Sequence, residues 1–160
     1  MSIQLHDPMK VEFKRVRYAD LRARQQENYN FQKASGVLAE FGFSTVRLTD
    51  DWDGADFVSQ HADGKTMLRV QLKPRLYFSK KYTNKDLWMC FRDARDIYLF
   101  PHDEVLAKIL STGKTMTGSK SWETDGAYSF RSVSKWMKPM IESYRLFFED
   151  TPRKHHERLA

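Results

Sequence analysis

From residue 66 to residue 73, apolar and polar side chains alternate: Leu68, Val70 and Leu72 against Arg69, Gln71 and Lys73. A period of two marks a strand with one face in a core and the other turned to something polar. Turn chemistry brackets it. The run His61-Ala62-Asp63-Gly64-Lys65 precedes it with an Asp-Gly turn signal, and Pro74, which cannot donate to a ladder, ends it. Residues 55–60 then read as the partner strand of an antiparallel hairpin. A turn centred on residues 63–64 fixes the register and sets Asp56 opposite Gln71.

The surrounding chain supplies helices and further strands. Phe31, Ala34, Leu38 and Phe41 recur at helical spacing, so a helix is expected over residues 21–41, closed by Gly42 and weakened a little by Gly36. Residues 43–48 read as a strand and 49–54 as a polar turn. Two more strands are expected at 86–91 and 96–100, then a helix at 103–110 and a long polar loop at 112–128. A final helix is expected over 132–148, with Val133, Trp136, Met137, Met140, Ile141, Tyr144, Phe147 and Phe148 on its apolar face and a kink at Pro139. This order predicts an α/β (α+β) domain, a mixed central sheet of about four to five strands flanked by helices. Residues 1–20 read as a lead-in arm, 21–150 as the one domain and 151–160 as a frayed tail.

Bulk properties exclude more than they select. With 160 residues and 41% hydrophobic side chains the chain buries a real core. One cysteine, Cys90, allows neither an internal disulfide nor a cysteine zinc site, and its apolar neighbours point to a buried inert thiol. Neither a signal-peptide pattern nor a stretch of about 18 apolar residues is present, so a cytoplasmic protein with no membrane association is expected. A net charge of +6 permits a polyanionic partner without demanding one.

Asp56, Gln71 and Lys73 carry the chemistry. The hairpin brings a carboxylate, an amide oxygen and an ammonium to one patch of the sheet. Hard divalent cations take oxygen ligands, which Asp56 and Gln71 can offer with backbone carbonyls and water. Such a cation lowers the pKa of a bound water and offsets phosphate charge. Lys73 beside it can hold the water or stabilise a pentavalent transition state.

The arrangement Asp56-x14-Gln71-x-Lys73 resembles the PD-(D/E)XK nuclease motif in its (Q)xK form, found in some restriction nucleases. The lead-in is similar too: a helix bearing a glutamate, then Gly42-Phe43, then a strand. The resemblance covers about residues 21–100 and departs at Ala55, where the name has proline. It implies a restriction-endonuclease-like fold, Mg²⁺ or Mn²⁺ as cofactor, and nucleic acid, DNA first, as substrate. The family's additional acidic residue maps by analogy to Glu27, which reads equally as an exposed helix-start charge. Dimeric action is common among such nucleases, so a homodimer is a further implication.

Other segments are open to two readings. Arg69 on the strand, with Arg75, Tyr77, Lys80 and Lys81 after it, interleaves basic and aromatic side chains that can hold phosphates and stack bases, or simply form a solvated surface. Lys114, Lys120 and Trp122 can extend such a surface. His102 reads as a packed histidine beside a helix-capping Asp103, and His61 as an exposed turn residue. Alternatives to a nuclease are a non-catalytic nucleic-acid-binding module on the same fold, or an assembly domain whose aromatic final helix forms a dimer face.

Overall fold

The computed structural model describes residues 12–147; the first part of the expected arm, the tail and Phe148 lie outside the described residues. The first helix, α1 (Ala23–Glu40), buries Asn30, Ala34, Val37 and Leu38. Phe41, expected on that stripe, is instead 44% exposed at the helix C-cap. Gly42 turns the chain at φ +79, a conformation that costs an L side chain energy.

Three strands follow: β1 (Phe43–Trp52), β2 (Ala55–His61) and β3 (Met67–Lys73). β2 and β3 pair antiparallel as Phe57↔Val70, Val58↔Arg69, Ser59↔Leu68 and Gln60↔Met67, the register predicted from the Asp63-Gly64 turn. The chain continues through β4 (Tyr77–Ser79), β5 (Trp88–Asp93), β6 (Asp96–Pro101), α2 (His102–Ser111), α3 (Lys120–Glu123), β7 (Ala127–Ser129), α4 (Lys138–Ile141) and β8 (Arg145–Leu146). The main sheet has six strands in the order β1-β2-β3-β5-β6-β8, one more than the upper expectation, and it is mixed because β3 and β5 run parallel. A mixed α+β domain with helices flanking a central sheet is therefore what the chain forms. No described helix is long and apolar enough to cross a membrane.

Alternation along the strands builds two cores. Phe57, Val70, Leu72, Cys90, Ile97 and Leu99 face α1 and pack with Ala34, Val37 and Leu38. Met89, Phe91, Tyr98 and Phe100 face the other way and pack under α2, α3 and the small β4–β7 sheet. β5 and β6 are thus buried on both faces, which is why both read as nearly unbroken apolar runs. Cys90 is fully buried, and burial pushes its thiol up to about 12, so it is inert as expected. Phe57 has no exposed surface and its ring meets Phe31 edge-on at 5.5 Å. Phe57→Ala is expected to cost about 3–5 kcal/mol, read as a fall in the urea midpoint.

Several expectations are corrected. The expected polar turn at 49–54 is mostly strand, because β1 runs to Trp52 before Asp53 and Gly54 make a tight turn at positive φ. The expected final helix does not form over the described residues 132–147. Pro139 stands at the start of the four-residue α4, and the chain then leaves helical geometry to add β8 to the sheet edge. Proline lacks the N–H that an interior helical position needs, so it starts this helix and does not kink a longer one. Met137 and Ile141 lie in the core, and Trp136, Met140 and Tyr144 pack against it, so these side chains form no exposed helix face, while Phe147 is 47% exposed. The expected loop at 112–128 contains α3 and most of β7, and its Trp122 is only 6% exposed, a core residue and not a base-stacking one.

Candidate active site

The hydrogen-bonded ladder between β2 and β3 ends at Phe57↔Val70. Beyond that rung β2 stays with β1, at Trp52↔Ala55, while β3 continues beside β5, at Leu72↔Cys90 and Lys73↔Phe91. The sheet therefore parts between them. A parted sheet leaves backbone N–H and C=O groups that need partners. The carboxylate of Asp56 turns into the gap, and the Leu72 N–H donates to its Oδ2 at 2.7 Å. The Gln71 amide also donates to Asp56 Oδ2, and its Nε2 lies 3.3 Å from the Leu72 carbonyl oxygen. Gln71 is 6% exposed, so this amide is held in place.

Lys73 stands one strand repeat further on. Its Nζ lies 5.0 Å from the Tyr77 ring centre and 5.9 Å from that of Tyr82, an aromatic wall that favours a cation. Burial nevertheless pushes the Lys73 ammonium below its ordinary 10.5, opposed by the attraction of Asp56. Burial likewise raises Asp56 above its ordinary 3.8, opposed by the Leu72 N–H and by Lys73. The two shifts converge, as they do where groups are desolvated for chemistry.

Glu27 reaches the same place from α1. It lines both depressions that contain Asp56, Gln71 and Lys73. Its carboxylate pairs with Arg47, whose guanidinium also contacts Asn28 and lies over the Phe31 ring. This pair fastens the N-terminal half of α1 to β1. The main cleft measures about 1010 Å³. Its outer wall is an arch of β1, residues 48–51, where the register jumps and Asp50 and Asp51 face the cleft. Asp53 at the hairpin tip is held by Lys85 at 2.6 Å, which keeps its carboxyl below the usual range. These wall residues belong to no motif in the sequence; their one signal there is the acidic run Asp50-Asp51-Trp52-Asp53 immediately before the hairpin.

The five expected nucleic-acid contacts are dispersed. Lys81 lines the cleft, and Tyr77 stands behind Lys73. Arg69 is committed to the carbonyls of Lys85 and Trp52, clamping the hairpin tip. Lys80 points to Trp122 and Glu123. Arg75 lines a separate small depression with Arg131. His102 is packed as expected: it is buried, its Nδ1 lies 2.7 Å from Asp103 Oδ1, and burial lowers its pKa. Asp103 accepts from the Asn84 N–H, so it ties down a loop where a helix cap was expected. His61 ends β2 half-buried beside Phe43 and does not sit in the turn.

Among the described residues no group of three or more His, Cys, Asp or Glu side chains converges as a metal cluster. The oxygens that do converge are the Asp56 carboxylate and the Leu72 carbonyl, between which the Gln71 amino group rests, with Glu27 on the adjoining wall. These are hard donors, suited to Mg²⁺ or Mn²⁺ and not to a soft metal.

No protein-family profile and no curated protein matches the chain. Among solved structures, the Holliday junction resolvase Hjc of Archaeoglobus fulgidus, an archaeal hyperthermophile, superposes with a TM-score of 0.39 at 16% identity, over 48% of this chain and 73% of that one. A match of that strength assigns no activity.

Proposed function

We propose that the gap between β2 and β3 is the active site of a divalent-cation-dependent phosphodiesterase acting on nucleic acid, DNA in the first place, as an endonuclease of the PD-(D/E)XK type in its (Q)xK form. One observation carries the reading. The Gln71 amino group rests between Asp56 Oδ2 and the Leu72 carbonyl, a point of negative potential beside a desolvated lysine. A hard cation has the same preference as that amino group. Asp56 and the Leu72 carbonyl would hold it, with the Gln71 side chain turned to present Oε1 and Glu27 reaching in through water. When bound, it would acidify water and offset charge on the phosphate.

The chain's own groups do the rest. Lys73 orients the attacking water and faces the charge that develops on phosphorus-bound oxygen. Tyr77 and Tyr82 hold its amine in one place. Lys81, exposed at the rim, meets the neighbouring phosphate. Incubation of the protein with supercoiled plasmid, duplex and single-stranded DNA, and RNA, in Mg²⁺ or Mn²⁺, tests the reading. Cleavage that EDTA abolishes supports it, and intact substrate in every case rejects it.

A second reading, a nucleic-acid-binding module without catalysis, is favoured by the two N–H donors on Asp56 Oδ2, since a carboxylate so placed also works as a backbone cap. Gln71→Glu separates the two. In the catalytic reading the added carboxylate lowers the half-saturating Mg²⁺ concentration by about tenfold, because ligand charge sets affinity for hard cations. It also lowers Tm in EDTA, where two carboxylates then face each other, and Mg²⁺ restores it. In the binding-module reading Mg²⁺ leaves the Tm of this variant unchanged.

A further inference from the structure

A second cleft of about 820 Å³ lies further along α1, lined by Arg15, Tyr29, Lys33, Arg92 and Arg95 among others. Asp96 is the one carboxylate among its lining residues, and Arg145 takes it at 2.7 Å. The remaining cations have no carboxylate partner among the described residues. Arg92 is the most constrained. Its Nε donates to Asn30 Oδ1 at 3.0 Å and its Nη1 to the Ala94 carbonyl at 2.5 Å. Its guanidinium lies 4.6 Å from the Tyr18 ring centre and 5.4 Å from that of Tyr29. Asn30, which orients it, is 4% exposed and also donates to the Tyr18 hydroxyl at 2.8 Å. Its Nη2 makes no hydrogen bond among the described residues. A planar guanidinium fixed in this way, with donors free and no acid beside it, suits a phosphate oxygen pair.

Position gives the cation cluster its meaning. A smaller depression containing Tyr18, Asn30, Asp56, Gln71 and Lys73 lies between the two clefts. It shares Glu27, Asp56, Gln71 and Lys73 with the main cleft. It meets the basic cleft where Tyr18 packs on Tyr29, with ring centres 5.5 Å apart, and where Asn30 holds Arg92. The three hollows therefore follow one another along α1, bordered by Glu27, then Asn30, then Lys33. Glu27 and Lys33 are about 9 Å apart along the helix axis, on the order of three nucleotides at the axial rise of one strand.

We propose that the cleft of Lys33, Arg92 and Arg95 binds the phosphodiester backbone of the same nucleic-acid strand, on one side of the phosphate held at Asp56 and Lys73. This rests on the reading of the Asp56 cleft as a nucleic-acid site, and it adds the strand's path. Tyr18 and Tyr29 form the divide over which the strand passes.

The test is binding of a fluorescently labelled duplex and of the corresponding single strand to the full chain in EDTA, followed by anisotropy over a range of salt. Lys33→Glu/Arg95→Glu alters two exposed side chains and leaves the Asn30–Arg92–Tyr18 contacts in place. Lys65→Glu/Lys138→Glu makes the same change in net charge at two exposed residues that do not line the cleft. The Lys33/Arg95 pair is expected to weaken binding at least tenfold and to lower the salt slope by about two; the control pair is expected to do far less. Equal effects from both pairs, no effect from the first, or no binding by the unaltered protein would overturn the proposal. Cleavage in Mg²⁺ is scored separately. A protein that binds through Lys33 and Arg95 but cuts nothing keeps this tract and loses the nuclease reading; one that cuts but binds the first variant normally does the reverse.

Discussion

Asp56→Asn is expected to abolish cleavage, by about 10³-fold or more, while leaving the protein at least as stable as before. The activity loss follows from removing the one carboxylate at the parted strands, and with it the charge that would hold a cation. The stability follows from the direction of its pKa. Burial raises Asp56, so the folded protein binds its proton more tightly than the unfolded chain does. A carboxylate shifted upward contributes stability below its unfolded pKa, and that stability is lost as pH rises through the folded value. At neutral pH the ionised group therefore works against folding. Asparagine removes this penalty and keeps an oxygen for the Leu72 N–H. Thermal melts should give a Tm at or above that of the unaltered protein at pH 7, with the difference shrinking toward pH 3. A large fall in Tm would mean that Asp56 serves as structure and not as chemistry.

Lys73→Met is expected to reduce kcat/KM by about 10²–10³-fold, the usual effect of losing one donor to a developing charge. Lys73→Arg tests what kind of lysine it is. Guanidinium retains charge in that slot but cannot adopt a lowered pKa, so only partial recovery is expected. The alkaline limb of the kcat/KM profile should lie below 10.5, because burial makes Lys73 lose its proton early. In Lys73→Arg the alkaline limb should move out of range. An unchanged limb would assign that ionisation elsewhere.

What could be read from the sequence was local and periodic. The alternation of Leu68, Val70 and Leu72 with Arg69, Gln71 and Lys73 fixed the faces of β3, and Asp63-Gly64 fixed its register with β2. Together they brought Asp56 beside Gln71. Two kinds of feature were not legible. The first is the parting of β2 from β3, which depends on β2 following β1 and β3 following β5; nothing within either strand encodes it. The second is the apolar stripe after residue 132, where Val133, Trp136, Met137, Met140, Ile141 and Tyr144 reach one core along an irregular path. Ser132, Ser134 and Pro139 disfavour a helix there, and pairing with β6 at the sheet edge decides the course of residues 145–146. The basic cleft was hidden for a related reason. Arg15, Lys33 and Arg92 are far apart in sequence and meet only because α1 crosses the sheet.

The most direct measurement is a crystal structure of the full chain soaked in Mn²⁺, with the ion located by its anomalous signal. A single peak is expected in the gap between β2 and β3, about 2 Å from an Asp56 carboxylate oxygen and from the Leu72 carbonyl, with the Gln71 amide turned away from Asp56. A map with no peak there at millimolar Mn²⁺, and Gln71 still donating to Asp56, would contradict it.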